Sequence, residues 1–109
     1  MRAMGIDPGT AICGFCVVDS DGSRLRPVTY GTIQTTPDRS DADRLVTIYE
    51  GLHELYEKYK PDIIGVEQLF FNRNVTTAIT VGQARCIILL TAKQAGIPLL
   101  EFNPLQVKQ

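Results

Sequence analysis

The chain has 109 residues, of which 44% are hydrophobic and 21% are charged, and its formal net charge is −1. This size and apolar content predict one globular domain with a modest core and exclude low-complexity disorder. No apolar run approaches the roughly 20 residues of a membrane-spanning helix. Asp7 and Pro8 interrupt any early secretory signal. The charge is not that of a strongly basic nucleic-acid binder, although a local basic surface is compatible with it.

The first 34 residues predict three strands joined by short turns. Arg2–Asp7 is short and apolar and ends at a Pro-Gly turn, and Thr10–Asp19 alternates apolar side chains between two faces. Asp21-Gly22 is a hairpin signal, and a third strand is expected over Leu25–Gln34. The expected arrangement is an antiparallel meander.

Helical periodicity follows this meander. Ser40, with Asp43 three residues later, resembles a capping box. The helix that follows is marked by apolar residues at spacings of three and four: Leu45, Ile48, Leu52, Leu55 and Tyr59. Ile63–Glu67 is a continuous apolar run ending in an acid, which is typical of a buried parallel strand. A second helix is expected over Val75–Ala95 and a fifth strand over Pro98–Phe102.

The element order is therefore β-β-β-α-β-α-β, an α/β fold whose five-stranded mixed sheet has three antiparallel strands and then two parallel ones. Because the fourth strand follows a helix, a right-handed crossover should place it beside the first strand and parallel to it. Residues 1–109 are interpreted as a single domain. Asn103-Pro104 is typical of a helix start just before position 109, so we expect a fragment that lacks its C-terminal helices.

Two acids end two of the predicted strands. Asp7 closes the first strand and Glu67 the fourth, so both are expected at one carboxyl edge, where open α/β sheets place their sites. Two unpaired carboxylates at one place repel each other. A divalent cation would neutralise both, and oxygen ligands suit Mg²⁺, with Mn²⁺ as a substitute. The alternative stays open that each is an ordinary loop-edge group, since Asp before Pro-Gly often caps a turn.

The three cysteines are odd in number and widely spaced, which argues against a disulfide framework and favours a reducing, cytoplasmic environment. Cys13 and Cys16 form a C-x-x-C pair, but on a strand this separation directs the two thiols to opposite faces. We interpret them as packing residues. His53 lies on the polar flank of the first predicted helix and is interpreted as a surface residue rather than a general base.

Four short motifs resemble those of one known family. Gly5–Thr10 (GIDPGT) is similar to the opening motif of the RuvC-type Holliday-junction resolvases, which belong to the ribonuclease H-like superfamily. Val66–Phe71 (VEQLFF) resembles the family's second acidic motif, and Gly82–Arg85 (GQAR) resembles its signature on the following helix. Pro104–Gln109 resembles the segment after the fifth strand. The motifs occur in order and cover nearly the whole chain.

This resemblance implies a ribonuclease H-like fold and a Mg²⁺-dependent homodimeric endonuclease. Such an enzyme cuts two opposed strands of a four-way DNA junction in recombination and repair, with branch-migration machinery as a further partner. The family's site uses four acids. Asp7 and Glu67 match the first two, and the last two belong to a later helix that this sequence lacks. Glu101 is considered as a substitute ligand, although the family gives it no such role.

DNA contacts are expected close to these acids. Phe70 matches a stacking aromatic of the family, and Phe71 is expected to point inward and plug the core. Arg73 and Lys108 are candidates for phosphate contacts, and Lys108 matches a basic position near the family's active site. For Arg85, structural, interfacial and DNA-contacting roles all remain open.

The second predicted helix is apolar nearly all the way round, so one sheet cannot cover it. Ala78, Gly82 and Cys86 form a stripe of small residues at helical spacing, which we expect in a two-fold dimer interface. The alternative is that the missing C-terminal helices cover the same face.

Two other functions are compatible with the sequence. Asp7–Thr10 also fits the Asp-x-Gly-Thr turn of actin-like and sugar-kinase-type ATPases, in which the Thr10 hydroxyl would hold nucleotide phosphates. That alternative leaves Glu67–Phe71 without a role and requires a second nucleotide-binding domain. The same fold could also serve as a non-catalytic DNA-binding or assembly module.

Overall fold

A computed structural model of the protein describes residues 1–67 and 75–102, without the side chains of residues 75–78. The elements in chain order are β1 (Arg2–Asp7), β2 (Ile12–Ser20), β3 (Leu25–Gln34), α1 (Asp41–Tyr59), β4 (Ile63–Glu67), α2 (Val75–Ala95) and β5 (Leu99–Phe102). One sheet has the order β3-β2-β1-β4-β5. β1, β2 and β3 pair antiparallel, whereas β4 pairs parallel with both β1 and β5. The predicted mixed α/β sheet and element order are confirmed.

The structure differs from the prediction at two places in the meander. β2 begins at Ile12 rather than Thr10, because Thr10 belongs to the turn that follows β1. The register between β2 and β3 shifts after Val17, so that Val28 has no partner next to Pro27. Proline has no N–H to donate to a ladder, which explains why the irregularity lies there.

Helix α1 begins where its sequence predicts, and a left-handed residue ends it. The Ser40 hydroxyl accepts a hydrogen bond from the Asp43 N–H at 3.1 Å, and the N–H of Lys60, in left-handed conformation, donates to the Tyr56 carbonyl at 2.8 Å. Tyr56 is buried, which the predicted apolar stripe missed, and its hydroxyl lies 3.0 Å from that of Thr91 on α2. No helix in the described part of the chain is long and apolar enough to cross a membrane.

The core lies on one face of the sheet. Buried side chains of the three strands β1, β2 and β4 form one cluster with those of the two helices: Met4, Ile6, Cys13, Val17, Ile64, Val66, Ile48, Leu52, Tyr56, Ile88 and Ala92. Burial of each large aliphatic side chain contributes about 1.5–3 kcal/mol. Cys13 is buried on this face and Cys16 is exposed on the other, as the strand geometry predicts. The second face has no described helix over it.

Burial of two weak acids predicts a loss of stability at alkaline pH. Burial raises the pKa of the Cys13 thiol from 9.0 to about 11 and that of the Tyr56 phenol from 10.0 to about 12. The unfolded chain therefore releases these protons at lower pH than the folded protein. We expect the free energy of unfolding to fall between about pH 9 and 12, by about 1 kcal/mol per pH unit for each group within its window.

Urea denaturation at a series of pH values measures this dependence. Tyr56→Phe should flatten the curve above pH 10, whereas Tyr30→Phe, at an 84% exposed position, should leave it unchanged. A free energy of unfolding that stays constant over this range in the unsubstituted protein would contradict the prediction.

Candidate active site

The parallel pairing of β1 with β4 determines where the two acids lie. Ile6 is opposite Val66 in the register, so the next residues, Asp7 and Glu67, end adjacent strands at the same edge of the sheet. Side chains alternate along a strand, so both carboxyl groups project from the face opposite to the buried Ile6 and Val66. Both line one cleft of about 450 Å³. This is the arrangement that the sequence predicts for these two carboxylates.

Glycine residues form much of the lining of this cleft. Gly5, Gly14 and Gly65 all line it, and a Cβ added to Gly14 would lie 3.6 Å from the Cβ of Asp7. A Cβ on Gly65 would lie 3.7 Å from the ring of Phe102, which forms one wall. Because glycine has no side chain, the space beside the two acids is open.

The charges of Asp7 and Glu67 are not neutralised within residues 1–67 and 75–102. The ion pairs in these ranges join Arg2 to Asp19 and Arg85 to Glu101. Two neighbouring carboxylates repel each other unless a cation lies between them. Mg²⁺ commonly takes one or two carboxylates from a protein and completes its shell with water and phosphate oxygens. The donor set of the cleft therefore fits a hard divalent cation.

The described part of the chain supplies this cleft with two carboxylates, those of Asp7 and Glu67. It contains no group of three or more His, Cys, Asp or Glu side chains placed to hold a metal ion. Glu101 was considered as a substitute ligand, and the structure does not place it in this cleft. It lies opposite Val66 in the register, so its side chain is on the covered face, where its carboxylate pairs with Arg85 on α2. This contact gives Arg85 a structural role.

The turn after Asp7 is held by contacts that the sequence did not reveal. A Cβ on Gly9 would lie 2.3 Å from the carbonyl oxygen of Ile12, so this position requires glycine. The Thr10 hydroxyl donates to the Thr80 carbonyl of α2 at 3.0 Å. The Thr10 carbonyl accepts from the Thr35 hydroxyl at 2.6 Å. These partners are 70 and 25 residues from Thr10, and no local sequence signal marks them.

The remaining predicted residues have different outcomes. Four lie outside the described residues: Phe70, Phe71, Arg73 and Lys108. The side chain of Ala78 is also not described, whereas Cys86 is exposed on α2 and a Cβ on Gly82 would meet nothing within 4 Å. His53 lies between the helices, with its Nε2 2.9 Å from Gln94 Oε1, and does not line the cleft.

Comparison with known proteins gives a consistent result. The sequence model of the family described as "Crossover junction endodeoxyribonuclease RuvC" matches residues 3–109. The protein of that description from Brevibacillus brevis is 58% identical over 109 residues, which are all of this chain and 66% of that protein. Its counterpart from Heliobacterium modesticaldum is 51% identical, with 67% of its length covered.

A solved structure shows the same fold. The structure described as T. thermophilus RuvC in complex with Holliday junction substrate matches with a TM-score of 0.92 and 32% identity, over 100% of this chain and 70% of that chain. The ribonuclease H-like fold implied by the sequence motifs is thereby confirmed. The chain spans about two thirds of the length of these relatives. The family match over nearly the whole chain shows that this chain belongs to the RuvC family of crossover junction endodeoxyribonucleases.

Proposed function

We propose that the protein containing this chain is a divalent-metal-dependent endonuclease that resolves four-way DNA junctions in recombination and repair. The observation that carries the proposal is the placement of Asp7 and Glu67 side by side in one open cleft. No basic side chain of the described residues forms an ion pair with either acid. Family membership and the Holliday junction bound by the T. thermophilus relative support branched DNA as the substrate. Residues 1–109 form part of one ribonuclease H-like domain in this proposal.

In such a reaction the residues of this chain would bind the metal ion and admit the DNA backbone to it. Asp7 and Glu67 hold Mg²⁺, or Mn²⁺ as its substitute, and remain available to it because no described basic side chain competes for them. A bound divalent cation supplies an activated water and stabilises the leaving oxygen of a phosphodiester. The glycines that line the cleft leave room for the DNA backbone to approach the two carboxylates, which without a cation would repel it.

The residues proposed to contact DNA lie a few positions after residues of the cleft in the sequence. Phe70 comes three residues after Glu67 in the sequence. We assign it the stacking of a base exposed at the junction. Lys108 follows the cleft-lining Phe102 by six residues. Arg73 and Lys108 are assigned phosphate contacts.

A homodimer would present two such sites to the two strands that must be cut. On α2, Ile79 is 55% exposed and Leu90 is 47% exposed, and Cys86 between them is exposed as well. Their spacings of seven and four place them on one side of the helix. Ala78 and Gly82, in the N-terminal half of α2, are small residues and would permit close approach of a second copy. Branch-migration machinery is a further proposed partner, and only the family resemblance supports it.

We place the protein in the cytoplasm. All three cysteines are free thiols, which suits a reducing compartment, and the proposed substrate is cellular DNA. The ATPase alternative is not favoured, because the Thr10 hydroxyl that would bind a nucleotide phosphate donates instead to the Thr80 carbonyl.

Replacing either acid by its amide should abolish cleavage. Asp7→Asn and Glu67→Gln each remove a metal ligand and change the side-chain volume little. Loss of a residue that only orients a metal ligand typically costs about 10–100-fold in metal affinity or activity. In the full-length protein we therefore expect the rate of junction cleavage to fall by more than about 100-fold. Junction binding measured without divalent metal should be retained or slightly stronger, because each amide removes one negative charge that repels the DNA backbone. Glu54→Gln, at an exposed position of α1, is the matched control and should cleave normally.

Two results would contradict this proposal. Cleavage at the normal rate by either amide variant would remove that residue from the metal site. Junction binding with no nicking by the unsubstituted full-length protein, in Mg²⁺ and in Mn²⁺, would identify a non-catalytic binding module instead.

Removing the aromatic ring at position 70 should separate DNA handling from metal binding. Stacking of one base is worth about 1–3 kcal/mol, so Phe70→Ala should slow junction cleavage by about 5- to 150-fold while the affinity for Mn²⁺ is unchanged. Phe70→Tyr keeps the ring and should retain most of the rate. Full activity of Phe70→Ala at unchanged metal affinity would reduce Phe70 to a packing residue.

A charge placed on the α2 stripe should separate the two copies. The backbone at Gly82 has room for a Cβ, since one added there would meet nothing within 4 Å, and glutamate is a better helix former than glycine. Analytical ultracentrifugation should show a dimer for the unsubstituted protein and a folded monomer for Gly82→Glu. The control Leu25→Glu, at a 76% exposed position of β3, should remain dimeric. A monomeric unsubstituted protein, or a dimeric Gly82→Glu variant, would refute this interface.

A further inference from the structure

A network of hydroxyl groups and one guanidinium joins α1 to the turn after Asp7. The Nε of Arg44 on α1 donates to the Thr35 hydroxyl at 2.8 Å. That hydroxyl donates in turn to the Thr10 carbonyl at 2.6 Å, and the Thr10 hydroxyl donates to the Thr80 carbonyl of α2 at 3.0 Å. We call these four residues the Thr35 network.

Thr35 is the centre of this network. Its side chain is buried, with 8% of the residue exposed, and its hydroxyl both accepts and donates a hydrogen bond. Its backbone N–H also donates to the Ala11 carbonyl at 3.0 Å. Thr35 therefore holds two successive carbonyl groups of the turn. The charged donor Arg44 polarises the hydroxyl and strengthens the bond that it makes to Thr10.

The network lies close to a residue whose position matters for the proposed site. Asp7 pairs with Gly14 of β2 at the end of its strand, and its carboxylate has no ion-pair partner among the described residues. The chain then enters the turn that contains Thr10, three residues later. A metal ligand must keep its geometry to within about 0.5 Å, which requires supporting contacts. The Thr35 network supplies such contacts from α1 and α2.

We propose that Thr35 and Arg44 are positioning residues of the metal site, which hold the turn so that Asp7 can share a cation with Glu67. This inference rests on the proposed function. Neither residue belongs to the four sequence motifs, and neither lines the cleft. They act through the backbone of the turn, without touching the cation or the DNA.

The chain contains a matched control pair. Arg39 donates from Nη1 to the Thr47 hydroxyl at 2.7 Å, on the exposed surface of α1. This is also a bond from arginine to a threonine hydroxyl, of nearly the same length as that between Arg44 and Thr35. It has no connection to the turn after Asp7. Thr47→Val and Arg39→Gln therefore control for Thr35→Val and Arg44→Gln.

The test is a titration of the metal-free full-length protein with Mn²⁺, in which electron paramagnetic resonance measures the free ion. Thr35→Val should raise the dissociation constant by about 10-fold, the lower end of the effect expected for residues that orient metal ligands. Thr35→Ser keeps the hydroxyl and should restore the affinity. Thr47→Val should bind as the unsubstituted protein does. Saturating Mn²⁺ should recover junction cleavage by Thr35→Val.

The outcomes distinguish this inference from the proposed function. If Thr35→Val lowers the melting temperature but binds Mn²⁺ normally, while Asp7→Asn loses the ion, the inference is overturned and the metal site stands. If Asp7→Asn also binds normally, both are overturned. Arg44→Gln leaves the buried threonine in place, and a dissociation constant raised relative to Arg39→Gln supports the inference even if Thr35→Val does not fold. Equal affinities of these two variants would overturn it.

Discussion

The register between β1 and β4 is the constraint on which the candidate site depends. Ile6 and Val66 lie opposite each other and are 4% and 0% exposed, so apolar burial on the covered face determines how these strands pair. Side chains alternate along a strand, and a slip of one residue would turn one carboxylate toward the core. The burial that stabilises the sheet therefore also brings Asp7 and Glu67 together on the opposite face.

The distribution of charge supports the same account. Asp19 is paired with Arg2, which lowers the pKa of its carboxyl through their hydrogen bond. Glu101 is paired with Arg85 on the covered face. Asp7 and Glu67, which end β1 and β4, have no ion-pair partner within the described ranges. Glycines beneath them leave space for a ligand, so charge and shape both favour a cation bridging the two carboxylates.

The element order could be predicted from the sequence, because hydrophobic periodicity is a local signal for helices and strands. The right-handed crossover rule then places the fourth strand beside the first, which brings the two acids to the same edge of the sheet. Sequence reasoning failed where a contact depends on side chains far apart in the chain. Glu101 was considered as a substitute ligand because it lies at the end of the fifth predicted strand. The face on which its side chain lies depends on the β4–β5 register, which one sequence does not reveal. The buried hydroxyls of Tyr56 and Thr35 were missed for the same reason, since their partners lie 35 and 25 residues away.

The most direct test of the central claim is a crystal structure of the full-length protein grown with Mn²⁺ and measured at the manganese absorption edge. The account predicts an anomalous peak between the carboxylates of Asp7 and Glu67, within about 2.5 Å of an oxygen of each. A peak at another site, or none here at a Mn²⁺ concentration that supports junction cleavage, would contradict the claim that these two side chains share a cation.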